Sequence, residues 1–151
     1  MQPAVKLSLI GLQGLQVAFL LLHDWIPLGR LSNLEAVRAS DPAGKLLLVT
    51  VVSALPFAAV FAVSCAYWTG PWPMWLRIWL TLTYIAAVFG AIQAWWGPYL
   101  LWGSPERARR YEVRFAGTLK FLPERHGIAP DVLHVAFHCC VLATVILSLV
   151  P

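Results

Sequence analysis

The chain has 151 residues, of which 60% are hydrophobic and 12% charged, and its mean hydropathy is +0.72. A soluble domain is about 45–50% apolar and about 25% charged, so a soluble globular domain is excluded. With so apolar a chain, the net charge of +4 reads through membrane topology and gives no ground for a nucleic-acid partner.

Four windows, Leu7–Leu28, Leu46–Trp68, Ile78–Trp102 and Val132–Pro151, each supply the roughly 20 apolar residues of a bilayer-spanning helix. The expected fold is an all-α integral membrane protein. It forms one domain over residues 1–151, a four-transmembrane-helix bundle with short interfacial helices in loops 1 and 3. Lys6 precedes the first window as in a secretory signal, but no small-residue cleavage site follows and the chain continues His23-Asp24-Trp25, so a mature helix is predicted. Gln13, Gln16 and His23 share one face, with Asp24 beside it. At 1.5 Å per residue this is a polar stripe about 15 Å long.

The loop Gly29–Gly44 sets Leu31, Leu34 and Val37 at helical spacing among Arg30, Asn33, Glu35, Arg38 and Asp41, the pattern of a short interfacial helix. The second window offers only Thr50, Ser53 and Ser64 as polar side chains, and Pro56 is expected to kink it. A tight hairpin, Thr69-Gly70-Pro71-Trp72-Pro73, follows, with Tyr67, Trp68, Trp72, Trp75 and Trp79 forming an aromatic belt. In the third window Thr83, Gly90, Gln93 and Gly97 share a face, while Trp95, Trp96, Tyr99 and Trp102 join Trp25 in a second belt. Trp95 and Trp96 are also candidates to stack on a ligand.

In the loop Gly103–Pro130, Ser104-Pro105-Glu106 reads as N-cap, first helical residue and first-turn acid. Ala108, Tyr111, Phe115, Leu119 and Leu122 then recur on one face, against Arg107, Arg110 and Arg114 on the other. Such a helix lies on anionic headgroups or forms a lid over a cavity, with Arg110 or Arg114 holding an anionic group. Cys65, Cys139 and Cys140 lie inside apolar windows and read as packing residues.

Alternating the four helices gives the bundle two unlike ends. Lys6 and Arg77 lie at one; the other carries Arg30, Arg38, Lys45, Arg107, Arg109, Arg110, Arg114, Lys120 and Arg125, with all seven acids and all four histidines at or near it. By the positive-inside rule this end, with loops 1 and 3, faces the cytoplasm of a bacterial inner membrane and both termini lie outside. Asp131, His134 and His138 open the fourth helix at i, i+3 and i+7. Polar groups at membrane depth turn inward, so these three with His23 and Asp24 are the candidate catalytic set, Asp131 orienting an imidazole that abstracts a proton. Gln13, Gln16, Gln93, Trp95, Trp96, Arg110, Tyr111 and Arg114 are the candidate ligand-binding set.

There is no Gly-rich phosphate loop, CxxC, HExxH or serine-nucleophile elbow. The outline resembles the EXPERA sterol-isomerase and sigma-2-like group in its long-short-long loop order and its Leu55-Pro56-Phe57 step, but that group's acid in the second span is missing. A small drug exporter's carboxylate in helix one is replaced by Gln13 and Gln16, and the Arg-x-x-Asn-x-x-Glu pattern of membrane glutathione transferases is absent. Three readings stay open. One is a pocket for a lipophilic small molecule, with or without acid–base chemistry. Another is a metal or b-type haem site using His23, His134 and His138, although no residue requires a cofactor. The third is a non-catalytic scaffold or accessory subunit, in which the polar stripes only join helices and copies in a homo-oligomer.

Overall fold

The computed structural model describes residues 2–150, and the described residues are all-helical. Helix α1 runs Pro3–Leu22, with proline in its first turn, where the missing N–H costs nothing. It stops short of the expected Leu28. The N–H groups of Trp25 and Ile26 both turn back to the Leu22 carbonyl, and Pro27 bars Ile26 from the helical region. Loop 1 holds α2, Leu34–Ser40, whose N-cap Asn33 accepts from the Ala36 N–H. Helix α3, Ala43–Ala66, contains Pro56 without ending there. After the hairpin come α4, Met74–Ala91, a wide π turn, Ile92–Trp96, and α5, Gly97–Leu100, in one unbroken rod. Loop 3 holds α6, Pro105–Arg114, with Ser104 accepting from the Arg107 N–H. The last helix is α7, Val132–Ser148.

Three of these, α1, α3 and the rod Met74–Leu100, are long and apolar enough to cross a membrane. The fourth expected span is apolar but has 17 residues, about 25 Å against a hydrocarbon core of about 30 Å. Its expected last residue, Pro151, lies outside the described residues.

Helix α1 packs on α3 and α7, and α4 on α7 and α3, around Phe57, Val60, Leu76, Leu80, Tyr84 and Val141. Hydrogen bonds between side chains join the helices in pairs: Ser64 to Gln13 at 3.1 Å, Gln16 to Thr144 at 2.8 Å and Thr81 to Ser148 at 3.0 Å. Such bonds contribute about 0.6 kcal/mol each on average. At the sparsely charged end Lys6 donates to the Gly70 carbonyl and Arg77 to the Val150 carbonyl. Both cations thus neutralise carbonyls at chain turns and helix ends.

The π turn has an identifiable cause. Pro98 has no N–H to offer the Ala94 carbonyl, and its ring crowds that carbonyl. The Gly97 N–H reaches back five residues to Ile92, which leaves the Gln93 carbonyl without its helical partner as well. Both orphaned oxygens are taken by α6: Arg107 donates to Gln93 at 3.0 Å, and the Tyr111 hydroxyl donates to Ala94. Burial pushes the Tyr111 phenol up to about 12, so it stays a donor. This is how α6 is fastened to the bundle.

Helix α6 is shorter than its apolar periodicity predicts. It ends at Arg114 because the chain beyond has other uses for its backbone: the Leu119 N–H bonds to Arg30, and the Leu119 carbonyl accepts from Val132. Gly127, at φ +72, brings its backbone so close to α6 that an added Cβ would lie 2.5 Å from the Ala108 Cβ.

A candidate pocket at the charged end

A cavity of about 540 Å³ lies among α1, α3, the rod and α7 at the charged end. Its polar lining is His23, Asp24, Thr50, Ser53, Arg114, His134 and His138; Phe19, Phe57, Trp95 and Phe137 supply much of the rest. Val49 and Ser53 of α3 and Gly90 and Ala94 of the rod line it and are nonetheless exposed. The wall is therefore open sideways between these two helices.

Asp131 sets the geometry of the site. It caps α7, one oxygen accepting from the His134 N–H at 3.0 Å and the other from the His134 ring at Nδ1, 2.8 Å away. The side chain is almost fully buried. Burial alone would raise its carboxyl, but the hydrogen bonds from His134's ring and backbone prevail and hold it below the ordinary carboxylate range. A carboxylate only accepts, so His134 Nδ1 carries the hydrogen and Nε2 keeps a lone pair in the neutral ring. Trp95 stacks on this ring at 4.4 Å, and Phe19 and Phe115 meet it edge-on.

His23 is held differently. Its Nδ1 lies 2.9 Å from the Phe19 carbonyl and must donate to it, which leaves Nε2 3.5 Å from Asp24. His138, one turn deeper on α7, has its ring 6.4 Å from that of His134. Its Nδ1 is buried with no partner among the described residues. Over the mouth, Arg114 of α6 donates to Asp41 at 2.5 Å and to Asp24 at 3.2 Å. Hydrogen bonding from Lys45, and then from Arg114, keeps the Asp41 carboxyl below its usual range.

The catalytic set predicted from sequence, His23, Asp24, Asp131, His134 and His138, is thus brought together, with Asp131 one layer behind the wall. The ligand-binding set divides. Trp95 and Arg114 are in the wall, but Arg114 is occupied by two carboxylates and does not offer a free anion-binding fork. Tyr111 and Arg110 border a smaller opening on the far side of Trp95; Tyr111 fastens α6, and Arg110 is exposed beside Glu106 at 3.6 Å. Trp96 touches the edge of His138 at 6.1 Å without lining the cavity. Gln13 and Gln16 are completely buried but join α1 to α3 and α7 away from the cavity. Gln93, expected inward, is exposed, and so is Gly90, which shares its face; at about 3.6 residues per turn it is Trp95 that falls in line with buried Tyr84.

Sequence reasoning missed Asp41, Thr50 and Ser53 as parts of the site. Thr50 accepts from the Trp25 indole at 3.0 Å, and Ser53 is in the open wall. Their signal was their isolation as polar residues in an otherwise apolar helix. His23 and His134 touch edge-to-face at 5.6 Å, which leaves no slot for a porphyrin between these two rings. Among the described residues no three His, Cys, Asp or Glu side chains converge as a metal-ligand group. Comparison with protein-family models, curated proteins and solved structures finds no match to this chain, so the functional reading rests on this geometry.

Proposed function

We propose that the chain is a four-span protein of a bacterial inner membrane, with α7 as the fourth span and the charged end toward the cytoplasm. In this reading the cavity binds a lipophilic small molecule drawn from the bilayer. The orientation is supported by nine basic residues at the charged end against two at the other. A short α7 is accommodated by local thinning or by its packing on α1 and α4. The pocket reading is carried by one observation: an apolar cavity, open sideways between two helices, has an Asp131–His134 pair built into its wall.

In an acid–base role His134 Nε2 takes a proton from the bound molecule, while Asp131 holds the Nδ1–H and stabilises the imidazolium that forms. The test is mass spectrometry of the organic extract from protein purified in mild detergent, for the wild type and for Ser53→Trp, which fills the opening. A lipophile should accompany the wild type at near-stoichiometric level and be lost from Ser53→Trp. Equal levels in both proteins, or none above bulk lipid, would end the pocket reading.

A further inference from the structure

The cavity's hydrogen-bonding groups say more about the head of the bound molecule than its size does, and an assignment of that head rests on the proposed pocket. Among the described residues the one cation in the cavity's lining is Arg114, and it serves Asp24 and Asp41 together, with Lys45 a further 2.6 Å partner of Asp41. Asp131 adds a further carboxylate behind the wall. An anionic headgroup would meet no unpaired positive charge here, and it would enter walls that are mostly aromatic and aliphatic, where a charge without a partner is expensive.

Two imidazoles remain to be matched. His134 Nδ1 is fixed as a donor to Asp131, so the neutral form of the ring presents Nε2 as an acceptor. His138 lines the cavity; its Nδ1 is buried without a partner among the described residues, and a neutral imidazole with its lone pair there offers an N–H at Nε2. The rings are one helical turn apart with centroids at 6.4 Å, a separation that one small group between them spans. A hydroxyl gives one hydrogen and accepts one. A carboxylate has none to give to His134, and an ammonium accepts from neither ring and would bring its charge into these mostly aromatic and aliphatic walls beside carboxylates already paired. The ring of Trp95, stacked on His134 and 6.0 Å from His138, provides a flat wall beside that point.

We infer that the cavity recognises a neutral, hydroxyl-headed lipophile, a long-chain phenol or alcohol whose O–H donates to His134 Nε2 and accepts from His138, with its chain leaving between α3 and α4. Anionic lipids are not its ligands.

The test uses full-length protein in nanodiscs and saturable binding of radiolabelled dodecylphenol. Dodecanoate and dodecylammonium serve as competitors of equal chain length. Dodecylphenol should bind saturably, and neither ion should displace it at equal concentration. His138→Phe keeps a ring of similar shape and removes no protein hydrogen bond, so it should weaken dodecylphenol about tenfold without lowering thermal stability. Displacement by dodecanoate or dodecylammonium as effective as by unlabelled dodecylphenol overturns the hydroxyl assignment and leaves the pocket standing. Unchanged phenol affinity in His138→Phe overturns it too, with an ordered water then the only occupant between the two rings. If none of the three probes binds saturably, and Ser53→Trp behaves as wild type, the pocket reading falls with it.

Discussion

The two ends of the molecule use polar residues in opposite ways. At the sparsely charged end each cation closes a chain terminus or turn: Lys6 on the Gly70 carbonyl, Arg77 on the Val150 carbonyl. No hydrogen-bonding capacity at these two contacts is aimed into a cavity. At the charged end Arg114, Asp24 and Asp41 satisfy one another, and Asp131 is saturated by His134, yet His138 Nδ1 is buried without a partner among the described residues. A buried polar group left unpaired costs about 1–3 kcal/mol. A fold that needed only to stand would lose nothing by replacing His138 with an apolar ring. Orphaned atoms occur also at Gln13, Gln16, Trp72 and Tyr84, but of these residues only His138 lines the cavity.

The contrast breaks most visibly at Arg114. Arg114→Met keeps the apolar stem, leaves Asp24 without its guanidinium and leaves Asp41 with Lys45 alone, so a loss of about 2 kcal/mol is expected, read as a fall in midpoint in thermal unfolding and as faster amide exchange across α6. An unchanged midpoint would mean that the charged end is held by backbone contacts alone.

Acid gives a smaller effect of definite sign. Asp131's carboxyl is depressed in the folded protein, so its contribution is fully present above the ordinary carboxylate range of about 4. It is lost as the pH falls through the lower folded value. The N-cap of α7 should then weaken by about 1 kcal/mol, seen as exchange of the first-turn amides of α7 below about pH 4, and Asp131→Asn should remove most of this dependence. The smallest effect belongs to the other end. Arg77→Ala should cost under about 1 kcal/mol and leave binding at the cavity unchanged; a change in probe affinity there would show that the two ends are coupled.

Much of the fold was legible because it depends on span length and composition, which any apolar helix reveals. The cap at Ser104 followed from residue type and position, and it accepts the bond implied; Asn33 and Asp131 cap α2 and α7 in the same way. The gathering of His23, Asp24, His134 and His138 was legible from helix alternation. Sequence did not reveal which polar groups are already engaged. Gln13 and Gln16 share the stripe with His23, but their distance along α1 places them opposite Ser64 and Thr144, and only packing decides that. Arg114 read as free because its partners, Asp24 and Asp41, lie 90 and 73 residues away in the chain. Gln93 was misplaced because the face it shares with Gly90 is an exposed one, and in an apolar rod only packing decides which face turns inward.

That proline has a consequence for how this chain compares with others of its length. A π turn stores one more residue than an α-helix of the same rise. The segment from Ile92 to Trp96 thus behaves as an insertion absorbed in place, without a loop to betray it. A homologue with one residue fewer there would run as plain α-helix with its outer segments in the same phase as here. It would have no orphaned carbonyls for Arg107 and Tyr111 and no reason to keep Pro98. An alignment gap at that point would mark a different cavity wall, even where every flanking residue is identical.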